Sequence, residues 1–168
     1  MKFTTEISWD DIPQIQKLLE WRVVSNGLVL NEEIWNIVDD IKLQVEQIWW
    51  GTTFLYCKNW EKVLWIVWFK ELNSNDINML HFAQTKKPAE LVNLFSLKDS
   101  WVSWIWKHLI SELKKQVKNK WFTEIILNSW PRYQNAWWFY DKVIGERIWE
   151  IQDRYWKWRH APVWSKVL

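Results

Sequence analysis

Residues 90–118 constrain this chain more than any other part of it. An apolar run, ELVNLFSL at 90–97, is followed by SWVSWIWKHLISEL at 100–113. In the second stretch Ile105, Leu109, Leu113 and Val117 recur every four residues, and Ile110 joins their face. Lys107, Ser111, Lys114 and Lys118 take the opposite side. The pattern predicts a strand, a short loop and an amphipathic helix with Ser103 as its N-cap. Backbone N–H groups in a helix's first turn lack internal partners, and the helix dipole adds about half a positive charge there. A phosphate docks against such an end, and Lys107 would add a cation. Every strand–loop–helix has such an end, so this feature alone names no ligand.

The stretch resembles the acetyl-coenzyme A loop of the GNAT superfamily of N-acetyltransferases. That family's pattern is Arg/Gln-x-x-Gly-x-Gly/Ala, then a helix beginning Lys-x-Leu. On this chain it covers Trp101, Val102, Ser103, Trp104, Ile105 and Trp106, then Lys107-His108-Leu109. The hydrophobic framing and the lysine agree. All three signature positions are tryptophan. The family uses glycine there so that bare backbone approaches a pyrophosphate, and an indole at Trp104 or Trp106 would fill that space.

A second resemblance lies further on. GNAT members often carry Asn-x-x-Ala-x-x-x-Tyr on the helix after the fifth main strand, followed by Gly-Phe. Ala136 and Tyr140 keep the spacing. Tyr133 replaces the Asn, although Asn135 is near. Gly145 comes five residues after Tyr140 instead of four, and Glu146 replaces the aromatic. The run 154–159 (RYWKWR) resembles a Tyr-Gly-x-Gly-Arg turn with tryptophan at both glycine positions.

Tryptophan at glycine positions is a property of the whole chain. It has 19 Trp and 3 Gly in 168 residues, where average usage gives roughly a dozen glycines. Trp60 follows Asn59 between two strand-like runs, where Asn-Gly is the expected hairpin turn. Trp121 follows a helix ending Lys118-Asn119-Lys120, at a natural C′ position. Trp130 precedes Pro131, and Trp156 and Trp158 flank Lys157 in an expected loop. Residues other than glycine give up about 1–2 kcal/mol in left-handed geometry. The expectation is that many of these positions are glycine in the parent sequence. The alternative is a protein that uses the indoles for packing.

The remaining composition bounds the class. The length suits one domain over residues 1–168, with 49% apolar and 25% charged residues, as in a globular protein. A net charge of +2 is too small to indicate nucleic acid or an anionic membrane. The lone Cys57 excludes a disulfide framework and a multi-cysteine zinc site, and its strand-like setting reads as a buried thiol. No apolar leader and no run near 18 apolar residues is found, so a cytoplasmic protein with no membrane partner and no metal is expected.

In order, residues 3–8 read as a strand. A helix then starts at Trp9-Asp10-Asp11-Ile12-Pro13 behind an acidic cap, burying Ile12, Ile15, Leu18, Leu19 and Val23. A second helix starts at Asn31 as its cap, with Ile34, Ile37, Val38, Ile41, Val45 and Ile48 as its stripe. Residues 53–57 and 63–71 are strands, 73–76 a turn, and 77–84 (INMLHFAQ) a further strand. After the strand at 90–97 and the long helix come a strand at 122–128, a helix at 133–144, and strands at 147–152 and 160–167. This is an α+β or mixed α/β chain. It is also the element order of the GNAT fold. The resemblance therefore implies a central, mostly antiparallel sheet with helices on both faces and a splay between the fourth and fifth main strands.

The same resemblance implies acetyl transfer from acetyl-coenzyme A, as co-substrate, to a primary amine of a small molecule or peptide by direct attack. It leaves a homodimer open. Backbone at Phe95, Ser96 and Leu97 would serve the thioester carbonyl, and positions 101–107 the pyrophosphate. Tyr140 would protonate the departing thiolate. Glu71 or His81 would take the amine's proton through water, and Asn128 and Asn135 would hold water or the pantetheine. The competing expectation is a catalytically silent binding module whose cofactor loop is blocked by tryptophan. Stacking of single-stranded bases at Trp156-Lys157-Trp158-Arg159 is disfavoured by the absence of a basic stripe.

Overall fold

The computed structural model describes residues 1–20, 24–25, 28–46, 51–60, 62–96, 103–157 and 159–168. Strand β1 (Lys2–Thr4) leads to a 3-10 turn (Trp9–Asp11) and helix α1 (Ile12–Glu20). The short strands β2 (Val24–Ser25) and β3 (Leu28–Val29) pair with each other, and α2 (Asn31–Val45) follows. Next come β4 (Thr52–Asn59), β5 (Lys62–Glu71), α3 (Ile77–Leu80), β6 (Pro88–Ser96) and α4 (Ser103–Asn119). The chain ends with β7 (Glu124–Asn128), a 3-10 turn (Pro131–Ala136), α5 (Trp137–Val143), β8 (Arg147–Trp156) and β9 (Arg159–Val167).

Seven strands form one sheet in the order β1-β4-β5-β6-β7-β9-β8. It is mostly antiparallel, with β6 and β7 as its parallel pair. A parallel pair needs a crossover, and α4 is the element between them. The chain divides into two compact units, Met1–Trp68 with Asn93–Leu109, and Phe69–Val92 with Ile110–Leu168.

In the first unit α1 packs on α2. Ile15, Leu18 and Leu19 of α1 and Ile37, Val38 and Ile41 of α2 are buried, as the helical periodicity predicts. Phe54, Trp68 and Phe95 form a chain of rings with centroids 5.3 and 5.7 Å apart. The second unit buries Ile125, Ile126, Leu127, Val163 and Trp164 of the sheet with Leu113 and Val117 of α4. There Leu72, Met79, Ile126, Ile151 and Val163 make one cluster, with Leu80 and Phe82 against it.

Several expectations are corrected. Residues 77–84 are not a strand. They hold α3, because Asp76 caps it through a 3.2 Å bond from the Met79 N–H. The first strand stops at Thr4, since Ser8 and Asp11 turn the chain into α1: the Ser8 N–H and hydroxyl both donate to Asp11 Oδ2 at 2.9 Å. Leu30, not Asn31, is the N-cap of α2. Ser103 is already helical and so is not a cap. Asn59 belongs to β4, which makes Trp60 the first central residue of the hairpin turn. Val23, Ile48 and Trp158 lie outside the described residues or side chains.

Trp60 and Trp121 have φ of 57° and 65°, so both occupy the left-handed region that turn chemistry predicted for them. Gly145, just after α5, has φ 138°, a value that side-chain-bearing residues rarely adopt.

Candidate functional site

The candidate residues lie on β6, β7 and the helices that follow them, and each unit is described by itself. The two parallel strands pair at Pro88↔Glu124, Ala89↔Ile125 and Glu90↔Ile126. Among the described residues no later pair joins them, although β6 continues to Ser96 and β7 to Asn128. β7 keeps its other neighbour throughout, pairing with β9 from Glu124↔Val167 to Asn128↔Val163. The strands therefore part after Glu90 and Ile126, which is the expected splay. A parted strand offers N–H and C=O groups that an extended ligand can pair with.

In the first unit, Phe95 and Ser96 end β6 and are both buried. Of the expected loop, Leu97, Trp101 and Val102 lie outside the described residues. Ser103 and Trp104 have helical backbone, and their side chains lie outside the description. Ile105 is buried in the core. Trp106 is half-buried in the first turn of α4, and the exposed Lys107 holds its ammonium 5.7 Å from the Trp106 ring centre. That lysine and that indole lie next to each other near the start of α4.

In the second unit, the half-buried Tyr140 lies on α5 with its ring 5.3 Å from that of Trp164. Trp164 pairs with Leu127 of β7, so Tyr140 packs on β9 at the level of that residue. Two further bonds set α5 against this part of the sheet. Trp137 Nε1 donates to Ser129 Oγ at 3.1 Å. Trp164 Nε1 donates to Asp141 Oδ1 at 2.9 Å, and Asp141 also takes a bidentate pair from Arg147. The Arg147 guanidinium, followed by the indole donor, holds the Asp141 carboxyl below the usual carboxylate range.

Asn128 is half-buried at the end of β7, and its Nδ2 lies 3.4 Å from Met79 Sδ on α3. The side chain of Asn135 lies outside the description, and its backbone is part of the 3-10 turn before α5. Glu71 ends β5 and is exposed. His81, just past α3, is also exposed and meets Phe82 edge-on at 5.1 Å. Tyr140 and Asn128 thus sit near one level of the sheet through different neighbours, while Glu71 and His81 stand on the surface.

Two polar anchors escaped the sequence reading. Glu124 is fully buried at the start of β7. It accepts from the backbone N–H of Gln84 and of Thr85, each at 2.8 Å, and from the Ser165 hydroxyl. Arg154 on β8 pairs with Asp76 at the head of α3. Together they fix both ends of the segment 76–85. The Asn73–Asp76 turn cluster was a signal for the second, but Glu124 sits in FTEIILN as a lone acid without pattern.

No group of His, Cys, Asp and Glu among the described residues is arranged to hold a metal. No described helix is long and apolar enough to cross a membrane.

No family model and no curated protein matches the sequence. Solved structures do match along the whole chain. A GNAT-family protein from Desulfovibrio desulfuricans superposes with a TM-score of 0.75 at 10% identity, covering 99% of this chain and 98% of its own. The PaiA N-acetyltransferase of Thermoplasma acidophilum, solved with coenzyme A, gives 0.66 at 16% identity, with 99% and 98% covered. An aminoglycoside 6′-N-acetyltransferase complexed with coenzyme A gives 0.72 at 11% identity, with 99% and 97% covered. Strand order, parallel pair, splay and superposition agree: this chain has the fold of the GNAT N-acetyltransferases.

Proposed function

We propose that the protein transfers an acetyl group from acetyl-coenzyme A to a primary amine of a small molecule or peptide by direct attack. The observation that carries this reading is the parting of β6 from β7; Tyr140 lies on the helix after β7, with its ring 5.3 Å from Trp164 of β9. The coenzyme A complexes among the similar structures support the choice of co-substrate. When bound, acetyl-coenzyme A supplies a thioester carbonyl for attack and a thiolate that leaves. The backbone of Phe95, Ser96 and Leu97 would donate to that carbonyl as negative charge develops on its oxygen. Residues 101–107 would face the pyrophosphate, with Lys107 as the cation. Tyr140 would hand its phenolic proton to the departing sulfur. Glu71 or His81 would take the amine's proton through water. Asn128 and Asn135 would hold water or the pantetheine arm.

Trp106 favours a second reading. A half-buried indole in the first turn of α4 occupies a position where the family keeps bare backbone. On that reading the chain is a silent module that keeps the scaffold and binds a partner. Calorimetric titration with acetyl-coenzyme A, followed by thiol release in the presence of a panel of polyamines, aminoglycosides and peptides, separates the two. Binding with amine-dependent thiol release supports acetyl transfer. Absence of binding to a folded protein supports the silent module.

A further inference from the structure

The backbone at two tryptophans asks for a residue without a side chain. Trp121 sits immediately after α4. Its N–H donates to the Lys118 carbonyl at 2.8 Å, and the next N–H, of Phe122, donates back to the Val117 carbonyl at 3.2 Å. These are the two bonds of a Schellman motif, with Trp121 at C′. That position is left-handed, and here φ is 65°. Glycine dominates it because any Cβ is crowded there.

Trp60 poses the same problem in a different element. Only Trp60 and Glu61 connect β4 to β5. In both favoured two-residue hairpin turns the first central residue has positive φ, and glycine or Asn fills it. Here that residue is Trp60, with φ 57°.

Packing does not repay the strain. The two indoles are 94% and 80% exposed. Among the described residues the third side-chain-bearing one at positive φ is Asp153, and a short polar side chain is among those that tolerate this geometry. Bulky residues do not. Trp65 and Trp164, in contrast, are fully buried in the sheet. Both strained indoles are exposed, which separates them from tryptophans that build core.

We infer that the natural protein carries glycine at positions 60 and 121. A coding route accounts for an exchange between two such unlike residues. The UGA triplet is read as tryptophan by some translation systems and as glycine by others. A gene with UGA at these two codons yields this chain under the first reading and a glycine-bearing chain under the second. Tryptophans encoded by UGG stay tryptophan under both, as buried Trp65 and Trp164 allow. The same exchange at positions 101, 104 and 106 would open the loop on which acetyl transfer depends. The inference itself stands on the two turns and not on activity.

The test is peptide mass spectrometry on protein isolated from the cells that naturally express the gene. Trypsin releases residues 59–62 and 121–132, each starting at or next to the position in question. Fragment masses should read glycine at positions 60 and 121, an indolylmethyl-for-hydrogen exchange at each, and both codons should be UGA. Tryptophan read at both positions, or UGG at both codons, would overturn the inference. As a second measurement, Trp60→Gly and Trp121→Gly should each raise the midpoint of urea unfolding. A lowered midpoint for both would count equally against it. Neither readout requires acetyl-coenzyme A, so failure of the proposed function would leave the result interpretable.

Discussion

Arg154 meets Asp76 through both carboxylate oxygens, Nη1 to Oδ1 at 3.2 Å and Nη2 to Oδ2 at 2.5 Å, across 78 residues of chain. Arg154 lies in the irregular part of β8, where the register with β9 shifts between Ile151 and Trp156. A bulge of this kind re-aims side chains, and here it accompanies a guanidinium pointed at the head of α3. Asp76 does double duty, because it also caps α3 at the Met79 N–H. A four-residue helix cannot hold itself in water, so these contacts hold it.

Arg154→Ala should therefore release α3. The pair is only partly exposed, with side chains at 23% and 19%. Its loss should cost about 1.5–3 kcal/mol, the range for hydrogen bonds to charged groups. Hydrogen exchange should locate the loss: protection at Leu80, His81 and Phe82 should fall well before that of the β7 amides. Asp76→Ala should cost about 1 kcal/mol more, because the cap goes too. Equal exchange across all these amides in both variants would show that the pair does not hold the helix.

Tyr140→Phe tests the proposed chemistry. The ring's contact with Trp164 does not require the hydroxyl. The phenylalanine variant should therefore keep its fold and its acetyl-coenzyme A affinity. Turnover should fall by roughly 10²-fold or more, the usual worth of a positioned acid. Steady-state rates beside calorimetric affinity give the comparison. Unchanged turnover would remove Tyr140 from the mechanism and leave it as an aromatic of the α5 packing.

How much of this was legible beforehand depends on the kind of signal. The strands β4 and β5 carry dense aromatic and β-branched residues, and α4 repeats its apolar positions every four residues, so both stood out. The segment INMLHFAQ misled, because a single helical turn is too short to show a period and its cap lies outside it at Asp76. β2 and β3, two residues each, carry no pattern at all. Tyr140 is singled out by the family resemblance, through its spacing from Ala136. Glu124 is not, because its partners Gln84, Thr85 and Ser165 lie 39 to 41 residues away. Tertiary contacts of that kind leave no local trace. The turns at Trp60 and Trp121 were legible for the opposite reason: the flanking residues define a turn so strongly that the wrong occupant is conspicuous.

Asp11 and Lys58 give a pH-dependent stability. The two are paired at the edge of the first unit, with side chains 7% and 17% exposed. Burial alone would push the Asp11 carboxyl up, but the Lys58 ammonium and the two Ser8 donors outweigh it and hold the carboxyl below its ordinary value. A depressed carboxylate contributes stability that is complete above its unfolded value of about 3.9. That contribution is lost as pH falls through the lower, folded value. Lys58→Met should cost roughly 3 kcal/mol at neutral pH, the low end for breaking a buried pair. The gap between the two proteins should then narrow as pH drops below about 4, where the wild-type carboxyl also gains its proton. Urea unfolding at a series of pH values measures the gap. A constant gap down the acid limb would mean that the ion pair is not what Lys58 contributes.

Cys57 should be inert in the folded protein. It lies within β4, opposite Phe3 of β1, and is fully buried. Burial pushes its thiol up to about 11, so at pH 8 only about one molecule in a thousand would carry the reactive thiolate. Access is the second barrier, since any reagent must first separate the strand from its cover. Labelling with iodoacetamide at pH 8 should therefore be slow without denaturant. It should speed up with urea in step with the loss of structure, because both barriers vanish together on opening. At pH 10 without denaturant labelling should still be far slower than that of a free thiol, since only about a tenth of the thiols would be ionised and access would stay closed. Rapid labelling of the folded protein at pH 8 would place Cys57 at the surface and overturn its burial in β4.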